Sequence, residues 1–138
     1  PDLLLLDEPT SGLDPIVRNE ILDLFMDFIQ DENKGILLSS HITSDLEKVA
    51  DYITFIDKGE ILLSDEKDVL VERYGVMKGP VAAMDRVDKS EVVGMQVTAH
   101  GFQCLVSDRV AMAQKYPDFV MDRADLEDMI LYLVRGNA

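Results

Sequence analysis

The chain has 138 residues, 47% of them hydrophobic and 29% charged, with a formal net charge of −14. That is room for one ordinary domain or two small ones, with enough apolar content for a packed core. The acidic balance argues against nucleic acid as a direct ligand, since a phosphate backbone demands clustered Lys and Arg, and against unassisted binding to anionic lipid.

The run Leu3-Leu4-Leu5-Leu6 followed by Asp7 and Glu8 reads as a buried parallel strand that ends at a polar edge. In an open α/β sheet that edge is where ligands bind. A carboxylate such as Asp7 suits a hydrated magnesium ion, which keeps several of its waters. Glu8, one residue on, is placed to orient and deprotonate a water attacking a phosphate. Those four leucines are the longest uninterrupted aliphatic run, far too short to cross a bilayer. Nothing at the start resembles a secretory leader.

Asp14-Pro15 predicts a helix start, with the acid as N-cap and proline at the first helical position. Ile16, Ile21, Leu24, Phe25, Phe28 and Ile29 then recur at helical spacing and form one apolar face out to about Gln30. Asn33-Lys34-Gly35 closes that helix with a turn. Ile36 to Ser39 is a short apolar strand of the kind parallel sheets bury. Thr43 or Ser44 is expected to cap a helix through Ala50, with Glu47 partnering Ser44 in a capping box.

Tyr52 to Ile56 and Ile61 to Leu63 predict a hairpin, its turn Asp57-Lys58-Gly59-Glu60 holding glycine at positive φ. Ser64-Asp65 opens a helix to Tyr74, which Gly75 stops. A composition break falls here: residues 1–74 carry 18 acids and 6 bases, residues 75–138 carry 9 and 7. We therefore expect two domains, 1–75 and 76–138.

In the second, Lys78-Gly79-Pro80 reads as a linker, Val81 to Ala83 as a short strand and Asp85 to Lys89 as a turn of helix. Val92 to Val97 and Phe102 to Val106 read as strands joined at Ala99-His100-Gly101. Asp108 caps a helix ending before Pro117, Phe119 to Met121 is a strand, and Asp122 caps a last helix through Leu133. The order β-α-β-β-α-β plus a helix fits a small α+β, ferredoxin-like domain. The one cysteine, Cys104, forms no internal disulfide and reads as a buried small hydrophobe. Six of the seven methionines follow Tyr74 and read as core filling. His100, beside Gly101, reads as a turn residue.

His41 directly follows the second apolar strand, so it should share the sheet edge with Asp7 and Glu8. A neutral imidazole there can donate to a terminal phosphate or to the attacking water. Together Leu3 to Glu8, Pro9-Thr10-Ser11-Gly12-Leu13-Asp14-Pro15 and Ser39-Ser40-His41 resemble the Walker B, D-loop and switch histidine of an ATP-binding-cassette (ABC) ATPase. The resemblance covers roughly residues 1–74 and extends to Asp51-Tyr52-Ile53 and Asp57-Lys58-Gly59-Glu60. It implies the C-terminal part of a P-loop NTPase-type parallel sheet with flanking helices.

By that resemblance Asp7 contacts a magnesium-bound water, Glu8 is the catalytic carboxylate and His41 senses the γ-phosphate. ATP and Mg2+ are the implied cofactors. Ser11, Gly12, Leu13 and Asp14 form the D-loop, which in the family meets a second ATPase subunit. None of the eight glycines is followed by lysine, so G-x-x-x-x-G-K-[ST] is absent, and no Gly-Gly pair supplies the family's signature loop. The expectation is a C-terminal portion of a longer protein, inactive alone. The intact subunit would couple ATP hydrolysis to solute movement through a separate membrane-spanning permease, cytoplasmic and peripheral at the inner face of the membrane. The segment Asp125 to Leu133 resembles the Leu-Glu-Asp tail of bacterial export-type subunits, which favours export. It reads equally as an amphipathic helix with Leu126, Met129, Ile130 and Leu133 inward. The alternatives are a non-transport ABC ATPase of repair, chromosome structure or translation, and a regulatory or dimerising role for residues 76–138.

Overall fold

The computed structural model describes residues 2–136 and divides into two compact units, one ending at Ala50 and one beginning at Asp51. The hairpin and helix read from the sequence as the end of the first domain thus cluster with the C-terminal unit.

In the first unit β1 (Leu3–Asp7) pairs in parallel with β2 (Gly35–Ser39), joined through α1 (Pro15–Phe28) and followed by α2 (Thr43–Val49). The register sets Leu5 opposite Leu37 and Asp7 opposite Ser39. Asp14 caps α1 as expected, its Oδ1 accepting from the Ile16 and Val17 amides at 3.0 and 2.9 Å. Three expectations are corrected. The strands are not buried on both faces: Leu5 is 68% and Leu37 67% exposed, while Leu4, Leu6, Ile36 and Leu38 are half-buried. A two-stranded sheet with two helices can cover one face, so the alternate leucines remain outside. Likewise α1 buries Leu22, and leaves Ile16 and Leu24 exposed. No capping box forms at α2 either. Its N-cap is Ile42, without a side-chain cap bond, and the Ile42 amide donates instead to Ser40 Oγ at 3.0 Å.

In the second unit β3 (Tyr52–Asp57) and β4 (Glu60–Glu66) form the expected hairpin. Both turn residues, Lys58 (φ 51°) and Gly59 (φ 78°), are left-handed, the pattern of a two-residue type I′ turn. β4 runs three residues further than expected, so α3 (Lys67–Arg73) starts at Lys67 and not at Ser64.

The larger correction lies at 75–79. This stretch is β5 (Gly75–Gly79), an inner strand of a four-stranded antiparallel sheet of order β6-β7-β5-β8, not a helix stop and linker. Its glycines discouraged a strand reading, yet they are needed. A Cβ on Gly79 would lie 2.7 Å from the Phe102 ring, and one on Gly101 (φ 143°) 2.3 Å from the Gly79 carbonyl oxygen. Val81–Arg86 is a 3-10 segment and not a strand, and a second follows at Lys89–Glu91.

β6 (Val92–Thr98), β7 (Gly101–Val106), α4 (Arg109–Lys115) and β8 (Val120–Arg123) fall close to expectation, with His100 in the β6–β7 turn and the Asp108 cap donated to by Ala111 N. The closing helix α5 (Leu126–Gly136) begins later than Asp122. Asp125 and Asp128 instead accept from each other's amides, at 2.8 and 3.1 Å. The strand order is that of the ferredoxin-like split β-α-β, with 3-10 turns in the first crossover. One core cluster holds Met77, Phe102, Cys104, Val106 and Met112, with Met84, Met95 and Met121 packed against it, so these methionines are fillers; Leu126 and Met129 of α5 are also fully buried. Burial pushes the Cys104 thiol up to about 11.

Candidate functional site

The C-terminal ends of β1 and β2 bring the acids and the histidine together. Parallel pairing in register puts Asp7 beside Ser39, whose hydroxyl donates to Asp7 Oδ1. The ladder continues one residue further, with the Glu8 amide donating to the Ser39 carbonyl at 2.9 Å. There β1 turns sharply: Glu8 has φ 49°, a left-handed conformation uncommon for a residue with a side chain. Strain of this kind costs roughly 1–3 kcal/mol and persists only where the surroundings impose it. Here they do so through the turn that follows, in which Ser11 N donates to the Glu8 carbonyl and Leu13 N to that of Thr10.

This turn brings Glu8 Oε1 to 2.9 Å from His41 Nδ1. The His41 side chain is 75% and that of Glu8 36% exposed, so the contact adds little stability and serves to orient. Glu8 Oε2, by contrast, is buried and has no hydrogen-bond partner among the described residues. A carboxylate oxygen in that state is an acceptor awaiting a donor.

Sequence reading located Asp7, Glu8 and His41, and the structure sets them at one sheet edge. It did not find the buried link behind them. Thr10 Oγ1 donates to Asp45 Oδ2 at 2.6 Å, and Arg18 Nε forms an ion pair with Asp45 Oδ1 at 3.1 Å without hydrogen-bond geometry. Thr10 is 2% and Asp45 4% exposed. The sequence carries no signal for this, since Asp45 reads as an ordinary acid favouring the first turn of α2. Ser11, Gly12, Leu13 and Asp14, the residues expected to form the D-loop, are all exposed, and Gly12 (φ 79°) supplies the left-handed position of the turn.

The donor set can be tested against the implied groups. Among the described residues no three His, Cys, Asp or Glu cluster to cage a metal. One carboxylate held by a serine hydroxyl fits an ion that retains most of its water, as Mg2+ does. The unpartnered Glu8 oxygen fits a polarised water. Among the described residues no helix is long and apolar enough to cross a membrane.

No protein-family model matches the chain. It is 48% identical over 68 residues to the lantibiotic transport ATP-binding protein SrtF of Streptococcus pyogenes, a match covering 49% of this chain and 29% of that protein. It is 33% identical over 89 residues to the energy-coupling factor transporter ATP-binding protein EcfA2 of the same species, covering 64% of this chain and 31% of the relative. A weak structural likeness, TM-score 0.46 at 20% identity, links 80% of this chain to 42% of a chain in an inward-facing metal-chelate type ABC transporter. The curated homologues are ABC transporter ATP-binding proteins, and this chain spans less than a third of their length.

Proposed function

We propose that this chain carries the hydrolytic half of the nucleotide site of an ABC transporter ATPase subunit. The observation that carries the reading is the 2.9 Å contact between Glu8 and His41 at the ends of two adjacent parallel strands. The relatives named for transport and ATP binding support the class.

In this reading ATP supplies the electrophilic terminal phosphate, and Mg2+ screens its charge. Glu8 Oε2 would accept a hydrogen bond from the attacking water and take its proton as the new oxygen–phosphorus bond forms and the bond to the β–γ bridging oxygen breaks, with ADP as the leaving group. His41 holds the other Glu8 oxygen by donating from Nδ1, and only the doubly protonated ring can donate from Nε2 to the terminal phosphate as well. Asp7, fixed by Ser39, would hold a hydrated magnesium ion, which would neutralise phosphate charge. Ser11 to Asp14 face a second ATPase subunit, and closure of that pair drives a separate permease. Export is favoured on the Leu126-Glu127-Asp128 tail, and the protein would sit peripherally at the cytoplasmic face of the membrane. The phosphate-gripping loop is supplied by sequence outside these 138 residues.

The test uses the intact subunit. Glu8→Gln should abolish turnover while leaving nucleotide binding in place; turnover at the wild-type rate would remove Glu8 as the base. The 138-residue chain alone should neither bind nor hydrolyse ATP. Robust magnesium-dependent hydrolysis by it would overturn the division of the site.

A further inference from the structure

The Thr10–Asp45–Arg18 link has no place in the chemistry just described, yet it joins the two segments that deliver that chemistry. Thr10 lies two residues beyond Glu8, and Asp45 four residues beyond His41. A buried carboxylate is tolerated only when paired and hydrogen-bonded. Asp45 meets that demand with one partner from the β1–α1 turn and another from α1 itself. A second tie, Lys48 to Asp23 at 3.0 Å, also joins α1 to α2, but it is far more exposed.

We infer that Thr10 and Asp45, with Arg18, are positioning residues for the Glu8–His41 pair: the buried link locks the turn after β1 to the start of α2 and so sets the distance between carboxylate and imidazole. The reasoning is geometric. The Glu8 and His41 side chains meet at the surface, where a single exposed contact cannot hold the two loops together. The dry contact behind them can, because a hydrogen bond to a charged group is stronger when water is excluded. Thr10 and Asp45 touch neither water nor phosphate in the proposed reaction. They act through the backbone to which Glu8 and His41 are attached.

This inference rests on the pairing of Glu8 with His41, and the experiment separates the two. The chain has only two histidines, so the imidazole nitrogen resonances of His41 and His100 can be followed at fixed pH in the 138-residue protein. Glu8→Gln should displace the His41 Nδ1 resonance and leave His100 unmoved. No displacement would remove the pair and the inference together. Thr10→Val keeps the side-chain shape without the donor, and should move His41 over most of the Glu8→Gln displacement. Thr10→Ser, which restores the hydroxyl, should return it. Leu22→Val softens the same unit away from the link, and should lower the melting temperature with His41 in place. If Thr10→Val does not fold, Arg18→Met carries the same comparison. A His41 resonance indifferent to Thr10→Val or Arg18→Met, or moved as far by Leu22→Val, would overturn the positioning role while the pair itself stood.

Discussion

Asp7 and Ser39 are register partners at the last rung of the β1–β2 ladder, and the Ser39 hydroxyl is hydrogen-bonded to Asp7 Oδ1. The bond fixes one oxygen of the Asp7 carboxylate. Ser39→Ala should therefore raise the magnesium concentration needed for half-maximal ATPase activity in the intact subunit by roughly tenfold, the usual effect of losing an outer-shell partner. A magnesium titration indistinguishable from wild type would show that Asp7 needs no such support.

The N-cap of α1 makes a simpler prediction. Asp14 Oδ1 accepts two amides, from Ile16 and Val17. Asp14→Ala should lower the stability of the 138-residue chain by about 1 kcal/mol, read as a shift in the urea midpoint. Asp14→Asn should recover most of that.

Gly12 and Gly101 both have positive φ, but their surroundings differ. A Cβ on Gly12 meets nothing within 4 Å, whereas one on Gly101 meets the Gly79 carbonyl oxygen at 2.3 Å. Gly12→Ala should cost only the left-handed backbone penalty, roughly 1–2 kcal/mol. Gly101→Ala adds a backbone clash and should cost about 3 kcal/mol or more. Equal melting temperatures for the two variants would contradict this packing.

Cys104 is fully buried and its thiol is pushed up to about 11 by desolvation. At pH 8 it is therefore a thiol and not a thiolate, and it is shielded as well. A disulfide reagent at that pH should leave the native chain unmodified over hours and titrate one thiol in denaturant. Rapid labelling without denaturant would mean that the sheet opens readily.

Asp128 is held above the usual carboxylate range, first by burial and then by the neighbouring Asp125 and Glu127. Its folded-state value is raised, so its contribution is fully present below the unfolded value near 3.9 and is lost as pH rises through the folded one. Asp128→Asn, which can still accept from the Asp125 amide, should raise the melting temperature at pH 7 relative to wild type. That advantage should vanish near pH 3.5. An advantage that persisted there would place its origin outside ionisation.

Much of the site was legible locally. An aliphatic run that stops at Asp7-Glu8, a proline after a capping acid, and a histidine directly after a second apolar run each announce themselves within a few residues. Helix ends were less so: α2 starts after Ile42 with no side-chain cap, and α5 starts late, with Asp125 accepting from the Asp128 amide. The strand at Gly75–Gly79 was misread for a deeper reason. Its two glycines and adjacent proline oppose a strand by propensity, but Arg109, Met121, Phe102 and Phe119 need the space that glycine leaves.

From the sequence alone came the residue types at the sheet edge, the α/β character of the chain and its strongly acidic balance. Tertiary structure decided the rest: that Glu8 turns left-handed to reach His41, that Asp45 is a buried tie and not a surface acid, and that Gly75–Gly79 is an inner strand. The physical reason is range. Propensity and periodicity act over three or four residues, whereas the partners of Glu8, Thr10 and Gly79 lie more than twenty positions away, and only the folded chain brings them within reach.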